Sequence, residues 1–185
     1  MKDILTTDRL TLRRVTLDDI AALSNLAGDY EIARMTGSFP HPFPPLSAEF
    51  RLMYLKQQWR RDLAFPYAIT LDGKDLIGMA DLFRKTTSDH FELGYWVGRP
   101  FWGQGYATEA ASALIQHAQR TVGITYIKAG VFTDNPASLR VLTKLGFTLT
   151  GLDEAYFSMA RMENAKSHLL ELNMSDVQID INQSA

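Results

Sequence analysis

Two glycines, Gly103 and Gly105, stand between a segment with strand periodicity and a segment with helix periodicity. Before them, the apolar residues of 91–97 alternate with other residues, which predicts a β-strand. After them, alanine, leucine and isoleucine recur at helical spacing from Ala107 to Ala118. Glycines let a backbone turn sharply and approach a ligand, and the free N–H groups of a helix N-terminus attract anions. The segment therefore predicts a site for a phosphate or pyrophosphate group.

This glycine pair does not belong to a common nucleotide-binding loop. Gly103-Gln104-Gly105 begins like a Rossmann fingerprint, but Thr108 stands where a third glycine or alanine belongs. No acidic residue ends a strand about 20 residues further on, as that fingerprint requires. A P-loop is excluded as well, because no Gly-Lys-Ser/Thr sequence follows.

Two further polar residues, Asn135 and Ser138, open the next predicted helix. Asn135 is a favourable N-cap, Pro136 suits the first helical position, and Gly146 suits the left-handed turn that ends a helix. Ser138 then lies in the first helical turn, where the positive end of the helix dipole favours an anion that develops during a reaction. Both residues also have a purely structural interpretation, in which they only cap this helix.

The elements that position these groups follow from the rest of the pattern. A strand around Leu12 precedes a helix that begins at Thr16, and a proline-rich segment, 36–46, separates that helix from a second one that begins at Ser47. Further strands are predicted over 67–71, 76–83, 91–97, 126–132, 147–152 and 166–174, and further helices over 107–121 and 135–146. This order predicts an α/β domain with a mixed, mainly antiparallel sheet of seven strands flanked by helices.

Length and charge limit the class of protein. With 185 residues the chain fits a single domain, 1–185, with a core of about 8–174. Nineteen basic and 21 acidic residues leave a net charge of −2, so no overall field attracts a nucleic acid or a membrane. No segment has the apolar run of a signal peptide or a membrane span, and we expect a cytoplasmic protein.

Cysteine is absent from the chain and histidine is rare. The chain has no cysteine, which excludes disulfides, thiolate metal sites and a cysteinyl acyl-enzyme. Its four histidines are scattered without metal-ligand spacing, so no metal is expected. With no thiol nucleophile available, direct attack on the donor in a ternary complex is the expected route for any group transfer.

The segment from Glu92 to Ala107 resembles the pyrophosphate-binding motif of the GNAT acetyltransferases, Gln/Arg-x-x-Gly-x-Gly/Ala. Here the core of the motif reads Trp102-Gly103-Gln104-Gly105-Tyr106-Ala107. Trp102 replaces the usual Gln or Arg, a departure shared by the RimJ/RimL-like branch, which acetylates the N-termini of ribosomal proteins. The resemblance runs from Leu10 to about Leu172 and includes the opening T-x-R-L-x-L-R. It implies a GNAT-type domain with the acyl-CoA site at splayed central strands and with acetyl-CoA as the donor.

The resemblance also implies roles on the donor side. Many family members carry a general-acid tyrosine seven residues after the asparagine, but here that position is Leu142. In RimL-like enzymes a serine takes this role, and Ser138 matches it. Asn135 would contact the pantetheine arm, and the N–H near Val97, at a bulge beside Gly98, would bind the thioester carbonyl. Coenzyme contacts are implied for Trp96, Val97, Trp102, Gly103, Gln104, Gly105, Tyr106, Ala107, Thr108, Asn135, Ser138 and Lys144.

The acceptor amine needs a base. An α-amino group has a reference pKa of about 7.7–8.0 and lysine about 10.4, so the amine must lose a proton before it attacks the thioester. Glu92 is the main candidate, because it starts the strand where many GNAT enzymes place a catalytic glutamate; the alternative interpretation is a solvent-facing strand residue. His168, Glu171 or a water relay are further candidates, and the opposite parity of His168 and Glu171 lets only one of them face the site.

The proline-rich segment is expected to overlie the acceptor groove, since the matching connection does so in GNAT folds. Phe39, His41 and Phe43 are therefore predicted to contact the acceptor, with ordinary packing as the alternative. No dense acidic run lies near this segment, which favours a peptide or protein N-terminus over a polycation. A small amine acceptor and a non-catalytic acyl-CoA-binding domain remain as alternatives, as do a monomer and a homodimer.

Overall fold

In the computed structural model, which describes residues 1–84 and 90–174, the chain forms eight strands and five α-helices. The strands are β1 (Ile4–Thr6), β2 (Thr11–Arg14), β3 (Ala64–Thr70), β4 (Leu76–Phe83), β5 (Phe91–Val97), β6 (Tyr126–Phe132), β7 (Thr148–Ser158) and β8 (Glu163–Asn173). The helices are α1 (Ile20–Ala27), α2 (Tyr30–Ala33), α3 (Pro45–Arg60), α4 (Tyr106–Val122) and α5 (Pro136–Lys144). None of these helices is long and apolar enough to cross a membrane.

The strands join one sheet in the order β1-β2-β3-β4-β5-β6-β8-β7. Every neighbouring pair is antiparallel except β5 and β6, which run parallel. The prediction of a mixed, mainly antiparallel sheet is thus confirmed, but the predicted number of strands was wrong. The additional strand, β1, has three residues and a single buried side chain, which is too short for an alternating pattern to appear in the sequence.

The sheet opens between its two parallel strands. β5 and β6 pair only at Phe91 with Ile127 and at Glu92 with Lys128, whereas β4 stays paired with β5 as far as Val97. The expected bulge beside Gly98 is absent, because the register between β4 and β5 runs without a shift. A bulge is not needed to expose the backbone here, since the diverging β6 already leaves one edge of β5 without a partner strand over its second half.

Helices cover both faces of the sheet. Helices α4 and α5 pack against one face over the larger apolar core, and α1 and α3 pack against the other face over a second core. Successive side chains of β5 alternate between the two: Leu93 and Val97 belong to the α4 side and Trp96 to the α3 side. Glu92 and Gly94 share the parity of Trp96, so they face the α3 side of the opening.

Three element boundaries differ from the sequence prediction. Helix α3 begins at Pro45 with Pro44 as its N-cap, two residues before the predicted start, because proline is well suited to the first helical position. Strand β7 continues to Ser158, six residues past its predicted end, and strand β8 begins at Glu163, three residues before its predicted start. Most side chains in these extensions are exposed on both faces, so burial leaves no alternation to detect.

Candidate active site

The opening between β5 and β6 forms a cleft of about 1400 Å³. One wall, here called the glycine-turn wall, consists of residues 102–108 and 135–144, most of which line the cleft. The opposite wall, here called the charged wall, consists of residues 36–39 with Arg51, Asp81, Glu92 and Tyr156. The cleft thus brings together side chains from segments that are far apart in the sequence.

The glycine turn leads directly into α4. Gly103 and Gly105 have φ angles of +76° and +81°, in the left-handed region that favours glycine. Gly105 is the N-cap of α4, and within the described part of the chain no side chain caps that helix start. The first N–H groups of α4, from Tyr106 to Thr108, therefore lie at the cleft with the positive end of the helix dipole behind them. These are the donors that a pyrophosphate group needs.

The N-terminal segment braces this turn through Glu109. The Thr7 hydroxyl and the Arg9 Nε donate to the Glu109 carboxylate over 2.6 and 2.7 Å, and Arg9 Nη1 donates to the carbonyl of Gln104 over 2.9 Å. Partial burial acts to raise the pKa of Glu109, but the hydrogen bonds from Thr7 and Arg9 outweigh it and hold that pKa below its usual range. The opening T-x-R-L segment therefore acts as a support for the glycine turn.

Trp102 joins the end of β5 to the same turn. Its indole Nε1 donates to the carbonyl oxygen of Val97 over 2.6 Å, while 51% of the side chain stays exposed. The N–H of Gly98 donates to Ile77 on the β4 side over 2.8 Å. Because bonded and non-bonded residues alternate in an antiparallel pair, the N–H of Val97 points away from β4, toward the opening.

Asn135 and Ser138 of the glycine-turn wall form a second polar group with Tyr95 of β5, which also lines the cleft. The Asn135 side chain caps α5 by accepting from the N–H of Ser138 over 3.1 Å. The Ser138 hydroxyl lies 2.8 Å from the Tyr95 hydroxyl, which also lies 3.1 Å from the Ser138 carbonyl oxygen. Burial raises the pKa of Tyr95 to about 12, with the hydrogen bond to Ser138 acting in the opposite direction. Tyr95 was not predicted as a site residue, because the sequence places it only at an alternating strand position.

Asp81 is the second residue that the sequence did not reveal. It pairs with Gly94 across β4 and β5, and a Cβ atom at position 94 would lie only 2.5 Å from Asp81 Oδ1. Gly94 therefore leaves room for a carboxylate that lies over β5, between the positions of Glu92 and Trp96. Burial raises the pKa of Asp81 to about 6, and the positive charge of Arg51 opposes this change.

Glu92, the predicted base, lies on the same wall. It is half-buried, lines the cleft and pairs with Phe83 and Lys128 on the neighbouring strands. Burial raises the pKa of Tyr156, and the negative charge of Glu92 raises it further. The longer β7 places Tyr156 in the same cleft as Glu92.

The other candidate bases lie on β8. Glu171 lines the cleft and forms an ion pair with Lys128 at 3.5 Å, whereas His168 does not line it. Within residues 1–84 and 90–174, no group of three or more His, Cys, Asp or Glu side chains is arranged to hold a metal.

Of the three residues predicted to contact an acceptor, only Phe39 lines the cleft. Phe43 is buried in the α1–α3 core, with 5% of its surface exposed. His41 is exposed outside the cleft, where its Nδ1 lies 3.0 Å from the carbonyl oxygen of Gly28. The proline-rich segment folds back on the helices at His41 and Phe43, so these two residues face away from the opening. Trp96 and Lys144, predicted to contact the coenzyme, both line the cleft.

A sheet that opens between two parallel strands, with a glycine turn and a helix start at the opening, is the arrangement that the sequence resemblance implied. The chain belongs to the GNAT acetyltransferases: the family described as acetyltransferase (GNAT) domain matches residues 9–148. The resemblance read from the 92–107 motif is thereby confirmed.

Individual relatives agree with this assignment. The uncharacterized N-acetyltransferase YoaA of Bacillus subtilis is 32% identical over 163 residues, which cover 84% of this chain and 89% of that protein. The ribosomal-protein-serine acetyltransferase of Escherichia coli is 33% identical over 85 residues, 45% of this chain and 48% of that protein. Among solved structures, Mycobacterium smegmatis RimJ in complex with CoA-disulfide has a TM-score of 0.81 at 24% identity, covering 92% of this chain and 84% of that one.

Proposed function

We propose that the protein transfers the acetyl group of acetyl-CoA to the N-terminal α-amino group of a protein or peptide, ribosomal proteins being the first acceptors to examine. The observation that carries the proposal is one cleft with two sides. The α4 start, which no described side chain caps, and the Ser138–Tyr95 pair lie on one side, and the carboxylates of Asp81 and Glu92 lie on the other. The relatives support it, since one of them is a ribosomal-protein-serine acetyltransferase and a structural neighbour is RimJ bound to a CoA derivative.

The glycine-turn wall fits the coenzyme. The backbone N–H groups of 103–108 would hold the pyrophosphate, because they start a helix that no described side chain caps. Asn135 would contact the pantetheine arm while it keeps its capping bond to Ser138. Trp102 and Lys144 also line the cleft on this wall and would contact the coenzyme, whereas Trp96 would reach it from the α3 side of β5.

The chemistry begins at the charged wall. Glu92 would accept the proton of the ammonium group, directly or through a water molecule, and so free the nitrogen lone pair. The nitrogen then attacks the thioester carbonyl carbon, and the N–H of Val97 would stabilise the negative charge that develops on the carbonyl oxygen. With no cysteine in the chain, we infer direct attack in a ternary complex, without a cysteinyl acyl-enzyme.

The leaving thiolate would be protonated from the glycine-turn wall. As the C–S bond breaks, the thiolate would take its proton from the Ser138 hydroxyl, which lies in the first turn of α5. The Tyr95 hydroxyl, 2.8 Å away, would orient Ser138 and replace its proton. This pair takes the place of the tyrosine that many family members carry at the position of Leu142.

The test is acceptor-dependent thiol release from acetyl-CoA across N-terminal peptides, spermidine and aminoglycosides. We expect release with peptides that carry a free α-amino group and none with the same peptides after N-terminal blocking. Release with spermidine or an aminoglycoside alone would favour the small-amine alternative. Coenzyme binding without release for any acceptor would favour a non-catalytic binding domain. A stoichiometric release of CoA in the absence of acceptor, with acetyl left on the protein, would contradict direct attack.

A further inference from the structure

Arg51 lies on the charged wall in a setting that the proposed reaction does not explain. The guanidinium carbon lies 4.4 Å from the centre of the Phe39 ring, and one terminal nitrogen donates to the Ser38 hydroxyl over 3.2 Å. Its Nε is fully buried and has no hydrogen-bond partner. A buried cation with an unpartnered donor is costly, so its retention beside a cleft points to a ligand that carries the opposite charge.

Arg51 and Asp81 influence each other without forming an ion pair. Within residues 1–84 and 90–174, no ion pair joins Arg51 to a carboxylate, although both residues line the cleft. Burial lowers the pKa of Arg51 and raises that of Asp81, and in each case the charge of the other residue opposes the change. The charged wall therefore holds a cation and an anion that are both poorly solvated, and neither is in direct contact with an oppositely charged group of the described residues.

On the basis of the proposed function, we propose that the acceptor carries a carboxylate a few bonds away from its amine, and that Arg51 binds this carboxylate while Asp81 and Glu92 hold the ammonium group. A guanidinium matches a carboxylate in shape and charge and binds it with two parallel hydrogen bonds. Such a zwitterionic acceptor places its carboxylate against Arg51 and its ammonium group against Asp81 and Glu92. A polyamine would instead place a second cation against Arg51.

Two sources offer this chemistry. The carboxylate belongs either to the acidic side chain of a peptide that begins with Asp or Glu, or to the α-carboxylate of a free amino acid. In both, the amine and the carboxylate are joined by a short chain that spans one wall of the cleft. The test distinguishes the sources by measuring kcat/KM for matched pairs.

The first pair is a peptide that begins with Glu and the same peptide that begins with Gln, and the second is a free amino acid and its amide. We expect kcat/KM to fall roughly tenfold or more when the carboxylate of the correct source becomes an amide, as is usual for the loss of a hydrogen-bonded charge. The pair that shows the preference identifies the source. Equal kcat/KM within both pairs would overturn the inference and leave the proposed function intact.

The variants Arg51→Gln and Arg60→Gln locate the preference. Arg60 lies on the same helix but is exposed and does not line the cleft. We expect Arg51→Gln to abolish the preference for the carboxylate and Arg60→Gln to retain it. If Arg51→Gln does not fold, Arg51→Lys keeps the charge without the planar fork and should weaken the preference. If the Arg51→Gln variant still prefers the acceptor with a carboxylate, the inference is wrong. If no acceptor causes thiol release, both the proposed function and the inference are wrong.

Discussion

The two walls of the cleft are built on opposite principles. The glycine-turn wall comes from two continuous segments, 102–108 and 135–144, and its main binding groups belong to the backbone. The charged wall comes from residues 36–39, α3, β4, β5 and β7, and its binding groups are ionisable side chains. Backbone donors suit a ligand that is always the same, whereas side chains from several elements can be changed one at a time to suit a particular acceptor.

This contrast separates the effects expected of substitutions. A change on the glycine-turn wall should weaken coenzyme binding or departure of the thiolate equally for every acceptor. A change on the charged wall should alter amine binding or activation and leave the affinity for acetyl-CoA unchanged. Each of the following predictions tests this division.

The largest effect is expected from Glu92→Gln. Because a glutamine cannot accept the ammonium proton, we expect kcat to fall about 100-fold or more with every acceptor, while the Kd for acetyl-CoA stays the same. Rates at saturating amine and calorimetric binding of acetyl-CoA provide the two measurements.

Glu171→Gln is the matched control for this variant. Glu171 also lines the cleft, but Lys128 already pairs with it at 3.5 Å. We expect its kcat to stay within a few-fold of the parent protein. If Glu171→Gln lost more activity than Glu92→Gln, the base would lie on β8 rather than on β5.

Gly105→Val tests the other wall. A β-branched residue is strained at a φ of +81°, so the turn must rearrange and move the first N–H groups of α4. We expect the affinity for acetyl-CoA to fall about 100-fold, by an equal factor whichever acceptor is used. Gly123→Val is the control, because Gly123 has a φ of +72° at the opposite end of the same helix. Both variants should lose comparable stability in thermal unfolding, and a similar loss of coenzyme affinity in both would show that the effect is not local.

The difference between the walls explains which site residues could be predicted from the sequence and which could not. The glycine turn and the start of α5 are encoded by neighbouring residues, such as Gly105 and Asn135, whose conformational preferences act locally. Asp81 and Tyr95 lie at ordinary strand positions, and only the pairing of β4 with β5 and the approach of α5 reveal their surroundings. His41 shows the opposite error: the sequence predicted that it would contact the acceptor, but it lies outside the cleft.

Tyr95→Phe tests whether the phenol acts through Ser138. Loss of the hydroxyl should reduce kcat about tenfold for every acceptor and leave the Kd for acetyl-CoA unchanged. In a Ser138→Ala background the same change should have no further effect on kcat, since the two groups form one unit. Tyr67→Phe is the control, because its buried hydroxyl donates to the Lys2 carbonyl outside the cleft. An additive loss in the double variant would mean that Tyr95 supports the fold rather than the proton transfer.

An effect of opposite sign, on stability rather than on activity, is expected from Asp81→Asn. A carboxyl whose pKa is about 6 in the folded protein and about 3.8 in the unfolded chain binds a proton more readily when folded. Stability therefore falls as the pH rises from about 4 to about 6, and above pH 6 the folded protein bears the full cost of a buried charge. Asparagine removes this cost, so we expect Asp81→Asn to be more stable than the parent protein at pH 7.5, by roughly 1–3 kcal/mol.

The measurement is the Tm of both proteins at pH 4 and pH 7.5. The gain from Asp81→Asn should be near zero at pH 4 and amount to a few degrees at pH 7.5. Asp72→Asn is the control with opposite sign, because backbone hydrogen bonds from Lys74 and Asp75 hold the pKa of Asp72 below its usual range. A lower Tm for Asp81→Asn at pH 7.5 would mean that Asp81 is held by interactions within the protein. A higher Tm, together with weaker acceptor binding, would mean that the charged wall retains an unfavourable charge because the acceptor requires it.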